Sequence, residues 1–153
     1  MNEYMKEALK EAKKAYKKLE VPVGAVIVKD GKIIAKAHNL RENKISSLAH
    51  AEILCIEKAC KKLGTWRLEG AQMYVTLEPC PMCTGAVINA RMAGVVFGAS
   101  DEKSGACGGY CDLSKANILN HTFEVQKGVM ENECKDILNR FFKDLRNRTK
   151  KEL

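Results

Sequence analysis

With 153 residues, 46% of them hydrophobic and 29% charged, the chain has the size and balance of one soluble globular domain. Its longest apolar runs fall well short of the roughly 18 residues of a membrane-spanning helix, and residues 2–7 carry acidic groups where a signal peptide would have an apolar core. A single domain over residues 1–153, cytoplasmic and without membrane association, is expected, and a net charge of +7 directs attention to polyanionic partners.

Residues 2–19 have the spacing of an amphipathic helix, with Met5, Ala8, Leu9, Ala12, Ala15, Tyr16 and Leu19 on one stripe. Lys6, Lys10, Lys13, Lys14, Lys17 and Lys18 occupy the remaining surface, a solvated face that could also touch RNA. Val21-Pro22 ends the helix. Residues 23–29 and 32–38 are β-rich and meet through Asp30-Gly31, a strong signal for a two-residue hairpin turn. After a polar loop, Ser46 or Ser47 is placed to cap a helix over residues 49–63, with Ala49, Ile53, Ile56, Cys60 and Leu63 on its buried stripe and Gly64 as its stop.

Residues 72–77 read as a buried strand. Pro81 suits the first position of a helix running to about Met92. A short strand over residues 95–98, a glycine-rich loop to Asp112, a short helix over 112–119, a strand over 122–127 and a last helix over 131–148 complete the pattern. That last helix carries Cys134, Ile137, Leu138, Phe141 and Leu145 on its core stripe. The order implies an α/β fold in three layers, α/β/α, around a central five-stranded mixed sheet.

Two segments stand out: His50-Ala51-Glu52, and Pro79-Cys80-Pro81-Met82-Cys83. Each opens an expected helix, where free amides and a partial positive charge favour anionic groups. His50, Cys80 and Cys83 suit a zinc ion with one coordination position left open. Glu52, two residues from His50, suits a general acid/base rather than a fourth ligand. His-x-Glu alone is a weak signal and Pro-Cys-x-x-Cys a moderate one. Together, in this order, they form the known signature of zinc nucleobase deaminases. The expected chemistry is attack by zinc-activated water on an amidine-like carbon of a base. Glu52 would move protons from that water to the ring nitrogen and to the departing amine.

Seven cysteines are an odd number, which argues against a disulfide framework. Cys55, Cys60 and Cys134 fall among apolar positions and read as small buried hydrophobes. Cys107 and Cys111 open a competing reading, a closed four-cysteine zinc site with Cys80 and Cys83, which would leave His50 and Glu52 unexplained.

With these residues in hand, the chain resembles the bacterial tRNA-specific adenosine deaminases of the cytidine deaminase-like superfamily. The likeness runs nearly end to end, through residues 21–25, 37–42, 49–53, 64–70, 74–83 and the Phe141-Phe142-Lys143 tail. It implies a homodimer, with one zinc ion per subunit, that converts adenosine to inosine at the wobble position of a tRNA anticodon stem-loop, typically in arginine tRNA. It sets Asn39 against the target nucleoside, puts Val23, Gly24 and Ala25 in the pocket wall with Ala51 and Pro79 nearby, and assigns Asp101 to a loop meeting the anticodon. It makes Arg41, Arg67, Lys103, Phe142, Lys143 and Arg146 RNA contacts. Read alone, Asn39 is a turn residue, Asp101 a loop cap, and Phe142 either a core residue or a stacking platform. Arg140, Arg148, Lys150 and Lys151 add to a basic tail able to bind phosphates. Ser46-Ser47-Leu48 and Gly108-Gly109-Tyr110-Cys111 depart from the family's usual sequence. They keep open a free base or nucleoside of the guanine or cytosine type, or single-stranded DNA, as substrate.

Overall fold

A computed structural model describes residues 2–152 and the side chains of residues 2–150; the Lys151 side chain lies outside them. The elements are α1 (Asn2–Lys17), β1 (Gly24–Lys29), β2 (Lys32–His38), α2 (Ala51–Leu63), β3 (Gln72–Leu77), α3 (Pro81–Asn89), β4 (Gly94–Ala99), β5 (Glu124–Gln126) and α4 (Glu131–Glu152). The five strands form one mixed sheet in the order β2-β1-β3-β4-β5. β1 runs antiparallel to both β2 and β3, whereas β3, β4 and β5 run parallel. The expected three-layer α/β/α architecture is present.

Strand pleating divides the core in two. Ala25, Ile27, Met73, Val75, Val95 and Phe97 face α2 and α3, packing on Ala51, Cys55, Ala59, Val87 and Ile88. Val26, Val28, Tyr74 and Val96 face α1 and α4, packing on Met5, Ala8, Leu9, Cys134 and Ile137. Asp30 (φ 52°) and Gly31 (φ 73°) both take positive φ, as the tightest hairpin turn requires.

α1 crosses β1 at Gly24. A Cβ there would run into the Ala8 carbonyl oxygen and lie 2.5 Å from the Ala12 nitrogen and 2.8 Å from the Glu11 Cβ. Gly24→Ala must therefore lift the helix off the sheet. Overpacking of this kind costs about 3 kcal/mol, a fall of about 10 °C in thermal midpoint for a domain of this size. A calorimetric midpoint equal to the parent's would show that the crossing is not tight.

The structure corrects several local expectations. α2 begins at Ala51 with His50 as its N-cap, and no serine caps it; the Ser46 hydroxyl instead accepts from the Leu48 amide in a turn. Its buried face is Ala51, Cys55 and Ala59, while Ile53 and Ile56 are only half-buried and Leu63 is exposed. Small residues line the contact because α2 lies close on β1 and β2, and a stripe chosen by hydrophobic size misses them. Leu19, expected in the core, is exposed: α1 stops at Lys17 and Leu19 takes the left-handed conformation (φ 62°). Leu145, also expected in the core, is exposed. No helix spans 112–119. Asp112 accepts from the amide and hydroxyl of Ser114, and positive φ at Asn117, Leu119 and Asn120 leaves a single 3₁₀ turn at Ile118–Asn120. Among the described residues no helix is long and apolar enough to cross a membrane.

Candidate active site

The carboxyl ends of β3 and β4 and the amino end of β1 share one edge of the sheet, and the N-termini of α2 and α3 meet above it. His50 is the N-cap of α2. Cys80 is the N-cap of α3, followed by Pro81, which has no amide hydrogen to leave unpaired. Cys83 lies in the first turn of α3, so its side chain falls on the same side as Cys80. One ligand atom each from His50, Cys80 and Cys83 lies within 4.8 Å of the others, a spacing that could hold a metal ion. His50 Nδ1 is 3.7 Å from Cys80 Sγ and 3.5 Å from Cys83 Sγ.

The electrostatics fit a cation. A hydrogen bond from the Cys83 thiol, working against burial and assisted by His50, holds the Cys80 thiol down at about 4. The same bond and burial raise Cys83, so the pair shares one proton. The bond to Cys80 also raises His50, with burial opposing it. A soft, borderline-to-anionic donor set of one imidazole and two sulfurs is the chemistry zinc prefers. Cys107 does not join the group. It is buried, its sulfur lies 3.6 Å from the Thr84 hydroxyl, and its backbone bridges to Asp112. Among the described residues the four-cysteine alternative has no geometry.

Glu52 projects from the first turn of α2 beside this group and is 4% exposed. Burial pushes its carboxyl up to about 7, with the nearby Cys80 charge adding to the rise and His50 opposing it. A carboxyl that balances between its two forms near neutrality is suited to passing protons in both directions.

A cavity of about 230 Å³ opens over these residues. Of the residues singled out from sequence, Val23, Asn39, Arg41, His50, Ala51, Glu52, Cys80 and Asp101 line it. Cys83 sits beneath, fully buried. Gly24 faces α1, Ala25 lies in the core and Pro79 uses its carbonyl to accept from Ala106 and Thr84; none of the three lines the cavity. Asn39 donates to the Val21 carbonyl and accepts from the Arg41 amide, which leaves one donor and one acceptor position for a ligand. Asp101 accepts from the Lys103 and Ser104 amides and so caps its own loop. Arg67 lies 5.1 Å over the exposed Trp66 ring and pairs with Glu69, away from the cavity. Phe142 is exposed on α4, edge-on to Phe141, which packs against Tyr16.

Two carboxylates escaped the sequence reading. Glu78, 3% exposed, lines the cavity and accepts backbone amides from the loop at 101–109. Glu20, 1% exposed, accepts the amides of Glu42 and Asn43 and the Asn43 side chain at 2.7–2.9 Å, pinning the loop that follows Asn39. A charged residue at the border of an apolar run was the available signal, since such a group must find partners if it is buried.

Burial pushes the Glu20 carboxyl up, but the Asn43 and Glu42 hydrogen bonds outweigh it and hold the group below its ordinary value. A lowered folded-state pKa stabilises above the unfolded carboxyl pKa of about 4.3, and that stability drains away as pH falls through the folded value. Amide exchange at Glu42 and Asn43 should therefore quicken in acid below about pH 4, before the sheet opens. Glu20→Gln should remove this acid sensitivity, and an unchanged pH profile in that variant would refute the assignment.

The profile of the MafB19-like deaminases matches residues 1–146. A tRNA-specific adenosine deaminase of Bacillus subtilis is 59% identical over 147 residues, covering 96% of this chain and 91% of its own length. The chain belongs to the tRNA-specific adenosine deaminase family. Its relative of that name in Aquifex aeolicus is 46% identical over 144 residues, covering 94% of this chain and 95% of its own. Among solved structures, one from a study of A-to-I editing by tRNA:A34 deaminases superposes with a TM-score of 0.84 at 41% identity, covering 90% of this chain and all of that one. The deaminase is thus an enzyme of the cytidine deaminase-like fold, with its candidate metal group and Glu52 side by side at the cavity.

Proposed function

We propose that the chain is a zinc-dependent hydrolase that converts adenosine to inosine at the wobble position of a tRNA anticodon, in arginine tRNA, and that it works as a homodimer with one zinc ion per subunit. The observation that carries the reading is the buried Glu52 carboxyl beside the His50, Cys80 and Cys83 ligand atoms at the floor of a cavity. His50, Cys80 and Cys83 would hold the zinc, which supplies Lewis-acid activation of water when bound. Glu52 accepts a proton from the attacking water, passes it to the ring nitrogen of adenine, and delivers a second proton to the departing amine. Atoms balance as adenosine plus water giving inosine plus ammonia. Asn39 orients the nucleoside with its two remaining hydrogen-bond positions, and the Val23 side chain and Ala51 close on the flat base.

The RNA reading rests on charge and placement. Arg41 lies at the cavity itself and Lys103 in the loop beside it. Lys143 and Arg146 are exposed on α4, whose Phe141 packs on Tyr16 near the turn that leads to Val21. Such groups suit backbone phosphates, and Phe142 offers a face for base stacking. Arg67, stacked on Trp66, would meet RNA farther from the target base.

The test is direct. The zinc-loaded protein is incubated with an arginine tRNA anticodon stem-loop and, separately, with adenosine, cytidine and guanine, and products are weighed by mass spectrometry. Conversion of the stem-loop, seen as a gain of about one dalton, is expected, with no conversion of the free compounds. Conversion of a free base alone would overturn the RNA reading and reassign the basic tail.

A further inference from the structure

We infer that Glu78 is a positioning residue for substrate: its buried carboxylate clamps the 101–109 loop into the wall of the cavity and so sets how tightly the RNA loop is held. The inference rests on the proposed tRNA substrate. Both carboxylate oxygens are occupied. Oε1 accepts the Asp101 amide at 3.0 Å, and Oε2 accepts the amides of Cys107 at 3.0 Å and Gly109 at 2.8 Å. Charge-assisted bonds of this kind are about twice as strong as neutral ones, and they are shielded here, since Glu78 is 3% exposed.

The loop is shaped around the carboxylate. A Cβ on Gly105 would collide with the Glu78 carboxyl group and lie 2.5 Å from the Asp101 carbonyl oxygen. A Cβ on Gly109 would lie 2.5 Å from Glu78 Oε1 and collide with that same carbonyl. Neither glycine has positive φ, so close approach, and not backbone conformation, demands them. This accounts for Gly109 within the divergent 108–111 segment. Glu78 itself stands at the end of β3, its amide held by the Ala99 carbonyl of β4. The clamp therefore ties the loop to the rigid sheet edge, and the loop delivers Asp101 and Ser104 to the cavity.

The proton-moving and metal-holding side chains stand on α2 and α3, outside this loop. A loop that is already ordered adds no ordering entropy to binding; a loosened one must be ordered by the substrate. Loss of the clamp should accordingly act on KM, with little effect on kcat. Glu78 is a poor substitute for Glu52, because its carboxylate already accepts three backbone amides and a proton placed there would weaken those charge-assisted bonds.

The experiment uses zinc-loaded full-length protein, the anticodon stem-loop and the variant Glu78→Gln, whose amide nitrogen faces backbone donors with a donor. Expected are a rise in KM of about tenfold, a much smaller change in kcat, unchanged zinc content, and faster hydrogen exchange at the Asp101, Cys107 and Gly109 amides but not within β3. Gly109→Ala breaks the same contact from the loop side and should reproduce the KM effect, less than additively in the double variant; it carries the test if Glu78→Gln does not fold. Parental KM with protected loop amides, or a fall confined to kcat, would overturn the inference. If the parent fails to convert the stem-loop, the substrate reading fails, and the exchange measurement, which needs no substrate, still decides the clamp.

Discussion

Glu52→Gln is expected to lower the deamination rate by a factor of about 10²–10⁴, the contribution typical of a positioned proton-transfer group, while zinc content and fold persist. The substitution preserves volume in a residue that is 4% exposed in the first turn of α2. Burial pushes this carboxyl up to about 7, and an amide of the same shape should leave the thermal midpoint close to the parent's. Loss of activity together with a retained midpoint separates a chemical role from a structural one. Full activity in Glu52→Gln would require another proton carrier. Glu78, another carboxylate that lines the cavity, already accepts three backbone amides.

Replacement of Cys80 by alanine is expected to abolish both tight zinc binding and activity, because it removes the sulfur that carries the thiolate charge and leaves two donors where a stable site needs three. Elemental analysis of the purified protein should fall from about one zinc per chain to a small fraction, and added zinc should not restore turnover. Chelation of the parent protein should give the same loss, reversed when zinc is returned. Cys107→Ser and Cys111→Ser provide the contrast. Cys107 is directed to Thr84 and Cys111 stands outside the ligand group, so both variants should keep full zinc content. A drop in zinc in either one would revive the four-cysteine site and sink the His50, Cys80, Cys83 assignment.

Much of the architecture was legible in the residues. Strand periodicity, the Asp30-Gly31 turn, Gly64 at a helix end (φ 68°) and Pro81 at a helix start are local signals, and local physics decides them. The candidate metal group and Glu52 were legible too, because coordination chemistry restricts which side chains could serve, and the spacing of Cys80 and Cys83 places both on one face of a helix start.

Other features depended on what the chain meets in three dimensions. Which face of α2 is buried followed from how closely it lies on β1 and β2, a distance that admits Ala51, Cys55 and Ala59 and turns larger side chains aside. The failure of a helix at 112–119 followed from the left-handed backbone at Asn117, Leu119 and Asn120, which no helix admits. The partners of Glu20 and Glu78 were not legible in one dimension, since they lie 22–31 residues away and are backbone amides, which every residue but proline possesses. By itself, then, the sequence determined the order of the strands and main helices and singled out the candidate reactive groups, because both rest on properties of single residues and their near neighbours. Only the tertiary structure decided that His50, Cys80 and Cys83 converge, that Glu52 is buried beside them, and that two carboxylates hold the loops around the cavity, because each depends on which distant backbone the sheet brings within reach.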